Sequence, residues 1–296
     1  MPQTRFARPE ESKSAMNMAG RFGRYSKEQG QDVRKSKTGD ETLQKLLSEF
    51  KTLTSHCPLG PDGYFYHDDY YRKIHSIVQA FPFPYRQEDI ARLCVTMASF
   101  IEEIGAFGRA DAGIFLSALV NNGPPGKYLL PQRQFDHPLA YLGIRNNPGH
   151  ETVIDGDARR AGLKMTGGKV TVTGNCEGDA GTEMEGGTLI IQGDMEGDIG
   201  KGMKGGIIEV HGTMGVGTLS IPYQTIRRWQ SNRNTSTIRI PYNQHQIGVG
   251  MTGGEIHLNE VVNHGRFRDK HGLDALGLDS VIHGRIYLAG KLVLDR

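Results

Sequence analysis

The chain has 296 residues and a formal charge of only +2, which is long enough for a sizeable core and too balanced for a global field that would draw nucleic acid or a membrane surface. Its 40 glycines follow a period, which excludes a flexible low-complexity linker. Cys57, Cys94 and Cys176 form no CxxC pair, no apolar run reaches membrane-spanning length, and no apolar signal segment opens the chain, so a reduced, cytoplasmic, non-membrane protein is expected.

Residues 1–39 mix Lys, Arg, Gln, Ser and Gly with few apolar side chains, the composition of a basic flexible tail. A helical region follows over 40–126. Asp40 is placed to cap a helix with Leu43, Leu46, Leu47, Phe50 and Leu53 on one face. A second helix is expected from Asp68 or Asp69 to Ala80, ended by Phe81-Pro-Phe-Pro84. A third carries Ile90, Leu93, Met97, Phe100, Ile101 and Ile104. Asp111 then caps a fourth with Ile114, Phe115, Ala118 and Leu119, stopped at Asn122-Gly-Pro-Pro. Such a region forms a small bundle or a cap on whatever follows. Residues 127–149 read as a linker.

From 150 the chain repeats itself. Met165-Thr-Gly-Gly168, Met184-Glu-Gly-Gly187, Met203-Lys-Gly-Gly206 and Met251-Thr-Gly-Gly254 each open a strand-like run, the first three 19 residues apart. Behind them Val170 and Val172, Leu189 and Ile191, Ile208 and Val210, Ile256 and Leu258 are apolar at every second position, the pattern of strands with one buried face. Gly168, Gly187, Gly206 and Gly254 mark one corner and Gly181, Gly200 and Gly248 another, where φ is positive or a Cβ lacks room. A fixed period of this length predicts stacked rungs. The expected architecture is therefore α+β: a helical N-terminal region and then a right-handed parallel β-helix of about 19 residues per coil over 150–296. Residues 218–246 interrupt it as a basic inserted ribbon. Val281–Gly290 reads as a degenerate last rung with Ile286 and Leu288 inward, and 273–278 as a short helix.

Chemistry is sparse. There is no GxSxG elbow, HExxH helix or cysteine knuckle, and Asn122-Gly-Pro-Pro-Gly-Lys-Tyr128 lacks both the first glycine and the Ser/Thr of a phosphate loop. His257, His264 and His271 read as surface histidines, so no catalytic residue, metal or cofactor is assigned. Glu177, Asp179, Glu196 and Asp198 recur one repeat apart and should gather at one corner. The richest surface is the insertion, where Tyr223, Arg227, Arg228, Trp229, Arg233, Arg239 and Tyr242 are side chains that dominate protein–protein hot spots. The same set can stack single-stranded bases and neutralise phosphates.

The repeat Met-x-Gly-Gly-x-φ-x-φ-x-Gly, where φ is an apolar residue, is preceded by Gly-x-x-Gly. It is carried by Gly178-Asp-Ala-Gly-Thr-Glu-Met-Glu-Gly-Gly187 and Gly197-Asp-Ile-Gly-Lys-Gly-Met-Lys-Gly-Gly206, and it resembles the GXGXG domain. That domain forms the C-terminal β-helix of the glutamate synthase large subunit and the body of one of the subunits of formylmethanofuran dehydrogenase. The resemblance covers residues 150–217 and 247–296 and implies a right-handed β-helix with a structural role. The reading favoured by the sequence is a non-catalytic scaffold subunit of a larger cytosolic assembly, docking protein partners through the repeats, the helical region and the insertion. The alternatives are a subunit of a redox or one-carbon enzyme complex, as the resemblance implies, and a nucleic-acid-associated factor.

Overall fold

The computed structural model describes residues 29–56, 67–216, 247–263, 281 and 283–296. Its helices are α1 (Gln29–His56), α2 (His67–Gln79), α3 (Gln87–Met97) and α4 (Ile101–Asn122). None is long and apolar enough to cross a membrane. Helix α1 starts before Asp40 and takes in residues 29–39 of the expected tail. Asp40 therefore lies inside the helix, where its carboxylate meets Arg92. The first apolar face is as expected, with Leu43, Leu46, Leu47 and Phe50 buried. The expected third and fourth helices are divided differently. The chain turns at 98–100, and Phe100 takes the N-cap of α4 with φ −137°. Ile101 therefore belongs to α4, and Asp111 falls mid-helix rather than at a cap. Asp111 is 5% exposed, and burial pushes its carboxyl up to about 7.

The strands are β1 (Gly126–Pro131), β2 (His150–Asp155), β3 (Ala158–Arg159), β4 (Lys169–Val172), β5 (Cys176–Glu177), β6 (Thr188–Ile191), β7 (Met195–Glu196), β8 (Ile207–Val216), β9 (Thr252–Asn263), β10 (His283–Leu288) and β11 (Lys291–Asp295). Their arrangement corrects the expected right-handed β-helix. All eleven belong to one mostly parallel sheet that does not close, running β1-β2-β4-β6-β8-β7-β5-β3, with β9, β10 and β11 continuing from β8. The helices come first and the strands follow, so the class is α/β. The physical reason lies in β8. It continues without a break through ten residues, pairing with β6 by its first half and with β7 by its second. It thereby joins two ladders that a corner was expected to separate.

Within the sheet the apolar alternation does what it predicts. Tyr128, Thr152, Val170, Leu189, Ile208, Ile256 and Ile286 stand in register on seven successive strands. Leu130, Ile154, Val172, Ile191, Val210, Leu258 and Leu288 form a second row beside them. Leu189, Ile191 and Ile208 are fully buried and Val210 nearly so. Each stacked pair removes apolar surface from water and fixes register, because a one-residue slip would turn the whole row outward. Met165, Met184, Met203 and Met251 fill the space behind the rungs, all at 0% exposure. The corner glycines Gly168, Gly187, Gly206 and Gly254 have φ between +65° and +94°, and Gly181, Gly200 and Gly248 lie near +65°. The sheet ends in a hairpin, β10 antiparallel to β11 across Ala289-Gly290 with φ +49° and +72°, the geometry of a two-residue primed turn.

The segment expected as a linker is instead part of the sheet and its core. It holds β1, and Leu139, Leu142 and Ile144 are completely buried. It is an early repeat in disguise, with Gly143 in the place of Gly162 and Asn146 in the place of Met165. The Asn146 amide donates to the carbonyls of His150 (3.2 Å) and Gly167 (3.1 Å), and its oxygen accepts from Thr152 Oγ1 at 2.9 Å. A buried amide that is this fully bonded substitutes for an apolar plug. Helix α4 sits on the same segment through Gly113, where a Cβ would lie 1.8 Å from the Ala140 oxygen. Helix α3 covers β1, and Cys94 Sγ meets the Pro131 carbonyl at 3.2 Å. Helices and strands thus share one core, and the otherwise open first edge of the sheet is covered.

Candidate functional site

Two surfaces have the composition of binding sites. The first is a cleft of about 300 Å³ where the start of α2 meets the corners of successive repeats. The corners are built from a repeated pair of left-handed residues. After Gly143, Gly162, Gly181, Gly200 and Gly248, the residue two places on is also left-handed: Arg145, Lys164, Glu183, Gly202 and Gly250, with φ from +51° to +66°. The later repeats use glycine at this place. The earlier three put charged side chains there, at a backbone cost on the order of 1 kcal/mol each.

Those side chains hold the helical region. Asp68, in the first turn of α2, receives Arg145 through two hydrogen bonds of 2.5 and 2.9 Å, with Arg72 at 3.0 Å and Lys164 at 3.3 Å. The Arg145 hydrogen bond, reinforced by the neighbouring charges, holds the Asp68 carboxyl down at about 2, although partial burial works the other way. Lys164 is shared with Glu183, also at 3.3 Å. Beside this cluster the Tyr141 hydroxyl meets His67 Nε2 at 2.7 Å and accepts from Arg160 Nη1 at 2.5 Å. The His67 and Tyr141 rings lie 4.1 Å apart. Tyr141 and Arg160 are themselves left-handed, with φ +66° and +53°. Burial raises the Tyr141 hydroxyl above its ordinary value, and Arg160 counteracts part of that rise. The Thr182 hydroxyl is buried in the same cleft without a hydrogen-bond partner among the described residues.

The second surface is the outward face of the long ladder. One row across it reads Leu129, Val153, Thr171, Ile190, Glu209, His257 and Tyr287. The next reads Lys127, Glu151, Lys169, Thr188, Ile207, Glu255 and Arg285. Leu129 is 47% exposed, and Val153, Ile190 and Ile207 are half-buried. At the far end His257 stacks on Tyr287 with ring centres 4.4 Å apart and meets Glu255 at 3.0 Å. Lys127–Glu151 and Arg285–Glu255 ion pairs border the row. The face is aliphatic in one half and aromatic and charged in the other.

Of the residues singled out from sequence, Tyr223, Arg227, Arg228, Trp229, Arg233, Arg239 and Tyr242 lie outside the described residues, as do His264, His271, Cys57 and the expected helix at 273–278. Residues 1–28 of the tail do too. His257 sits on the outward face. Glu177 and Glu196 are register partners on β5 and β7, as their spacing implies. Cys94 and Cys176 are buried thiols, each pushed up to about 12 by burial. The cleft was missed because its residues are scattered over α2 and the corners. A signal existed: the residue before each repeat methionine is charged in the first two repeats, Lys164 and Glu183, and glycine in the last two, Gly202 and Gly250, and glycine is the residue that a left-handed position favours. No protein-family model, curated protein or solved structure matches the chain.

Proposed function

We propose that the protein is a non-catalytic structural subunit of a larger cytosolic assembly and docks a protein partner on the outward face of the long ladder. The observation that carries this reading is the row Leu129–Val153–Thr171–Ile190, in which three partly exposed aliphatic side chains flank a buried threonine on a face whose register is fixed by the buried row behind it. An apolar centre bordered by charged pairs is the composition of a protein interface. Parallel strands are ordinarily covered on both faces, so a partner layer on this side completes the packing. The buried thiols Cys94 and Cys176 fit a reducing compartment.

The test is affinity capture of the tagged protein at native expression, with mass spectrometry of what is retained. Ile190→Lys places a charge on this outward row without touching the buried row. The expected result is a protein retained in stoichiometric amount by the wild type and lost by Ile190→Lys, at an unchanged melting temperature. A wild type that comes down alone, or a variant that keeps its partner, overturns the proposal. Flavin- or molybdopterin-bearing proteins among those retained would identify a redox or one-carbon complex. Co-purifying RNA with steep salt dependence, and no protein, would replace the docking reading with a nucleic-acid one.

A further inference from the structure

We infer that the cleft between α2 and the repeat corners binds a small zwitterion, a molecule of amino-acid size carrying one carboxylate and one ammonium group. The volume of about 300 Å³ suits a ligand of that size and lies at the small end of ligand pockets. The walls are preorganised. Tyr141, Arg160, Lys164 and Glu183 all line the cleft and all hold left-handed backbone, which persists only where the surroundings enforce it and clusters at binding sites.

Charge decides the ligand class. Asp68 is saturated by Arg145, Arg72 and Lys164, so its charge is spent inside the protein. Glu183 is likewise engaged by Lys164, and Arg160 by the Tyr141 hydroxyl, so the charged groups that the wall presents to a ligand are Lys201 and Asp179. A simple anion entering the cleft meets the Asp179 carboxylate, and a simple cation meets the Lys201 ammonium. A zwitterion meets complementary charge at both ends, so the site selects by repulsion as well as attraction. Neighbouring rungs carry these groups: Glu183 donates its backbone N–H to the Lys201 carbonyl at 2.7 Å, and Lys164 donates to the Thr182 carbonyl at 2.8 Å. Adjacent parallel rungs stand about 4.8 Å apart, a spacing that one carboxylate bridges. The ligand carboxylate is assigned to Lys201 and the Thr182 hydroxyl, which is buried and lacks a hydrogen-bond partner among the described residues. The ammonium is assigned to Asp179, and Leu163 receives the apolar part of the ligand.

The experiment is isothermal titration calorimetry on the full chain. The probes are the twenty amino acids one at a time, with succinate, inorganic phosphate and putrescine as single-sign controls. At least one amino acid should bind with Kd at or below about 1 mM. Lys201→Ala, Thr182→Val and Asp179→Asn should each weaken that binding by about tenfold or more. Melting temperatures should stay unchanged, because these three side chains sit at the cleft wall and outside the apolar core. Tighter binding of phosphate, succinate or putrescine than of any amino acid overturns the assignment. Binding by none of the probes, or binding that the three variants leave intact, overturns it as well.

Discussion

Substituting Gly187 and Gly250 by alanine separates the two reasons for which this repeat needs glycine. Both are left-handed, with φ +86° and +66°. At Gly250 a Cβ would meet nothing within 4 Å, so the only penalty is conformational. That penalty is about 1 kcal/mol, in line with the charged residues tolerated at the equivalent positions 145, 164 and 183. At Gly187 the Cβ would lie 2.6 Å from the Gly167 carbonyl carbon and 2.7 Å from the oxygens of Gly167 and Gly168. These are backbone atoms of the preceding rung, so no rotamer change relieves the contact and β4 and β6 must part. Overpacking of that kind adds about 1–3 kcal/mol, so Gly187→Ala should cost roughly 2–4 kcal/mol in total. At roughly 2–4 °C per kcal/mol, calorimetry should show a fall in Tm several times larger for Gly187→Ala than for Gly250→Ala. Hydrogen exchange should place the opening at the amides of β4 and β6. Equal losses for the two variants, or a larger one at Gly250, would refute the reasoning.

The ion cluster at Asp68 predicts a pH dependence. Its folded carboxyl titrates near 2, below the ordinary aspartate value of 3.8, so its stabilisation is fully present above about pH 4 and lost as pH falls toward 2. Asp68→Asn should remove roughly 1–2 kcal/mol at neutral pH once solvent screening is allowed for and flatten the acid limb in urea titrations; an acid limb that keeps its wild-type slope in this variant would contradict the assignment. Asp111 has the opposite sign: its folded value near 7 lies above the same ordinary value of 3.8, so stability declines as pH rises between the two, and Asp111→Asn should abolish that decline. Asn146→Met restores the methionine of the later repeats, yet it should destabilise by about 1–3 kcal/mol, because Thr152 Oγ1 and two carbonyls lose their partner. A more stable Asn146→Met protein would show that volume, not hydrogen bonding, decides the position.

The sequence by itself determined the local alphabet of this protein. The 3.6-residue periodicity marked the helical region and the buried face of α1, though not the start of α1 or the break at 98–100, and the alternation behind each Met-x-Gly-Gly marked Val170, Leu189, Ile208 and Ile256 as one buried row, because both signals are written in neighbouring residues. The glycine period marked the left-handed corners for the same reason. What lay beyond reach was decided at long range. The joining of all strands into one open sheet rests on the unbroken course of β8, which pairs with β6 and β7 at once, and no local pattern states where a strand fails to bend. The early repeat was hidden because Asn146 replaces a methionine, and the fitness of an amide in a core depends on partners that only packing supplies. The cleft was hidden too. Asp68 and Arg145 lie 77 residues apart in sequence, and the charge balance that gives the site its character exists only once α2 has docked on the repeat corners.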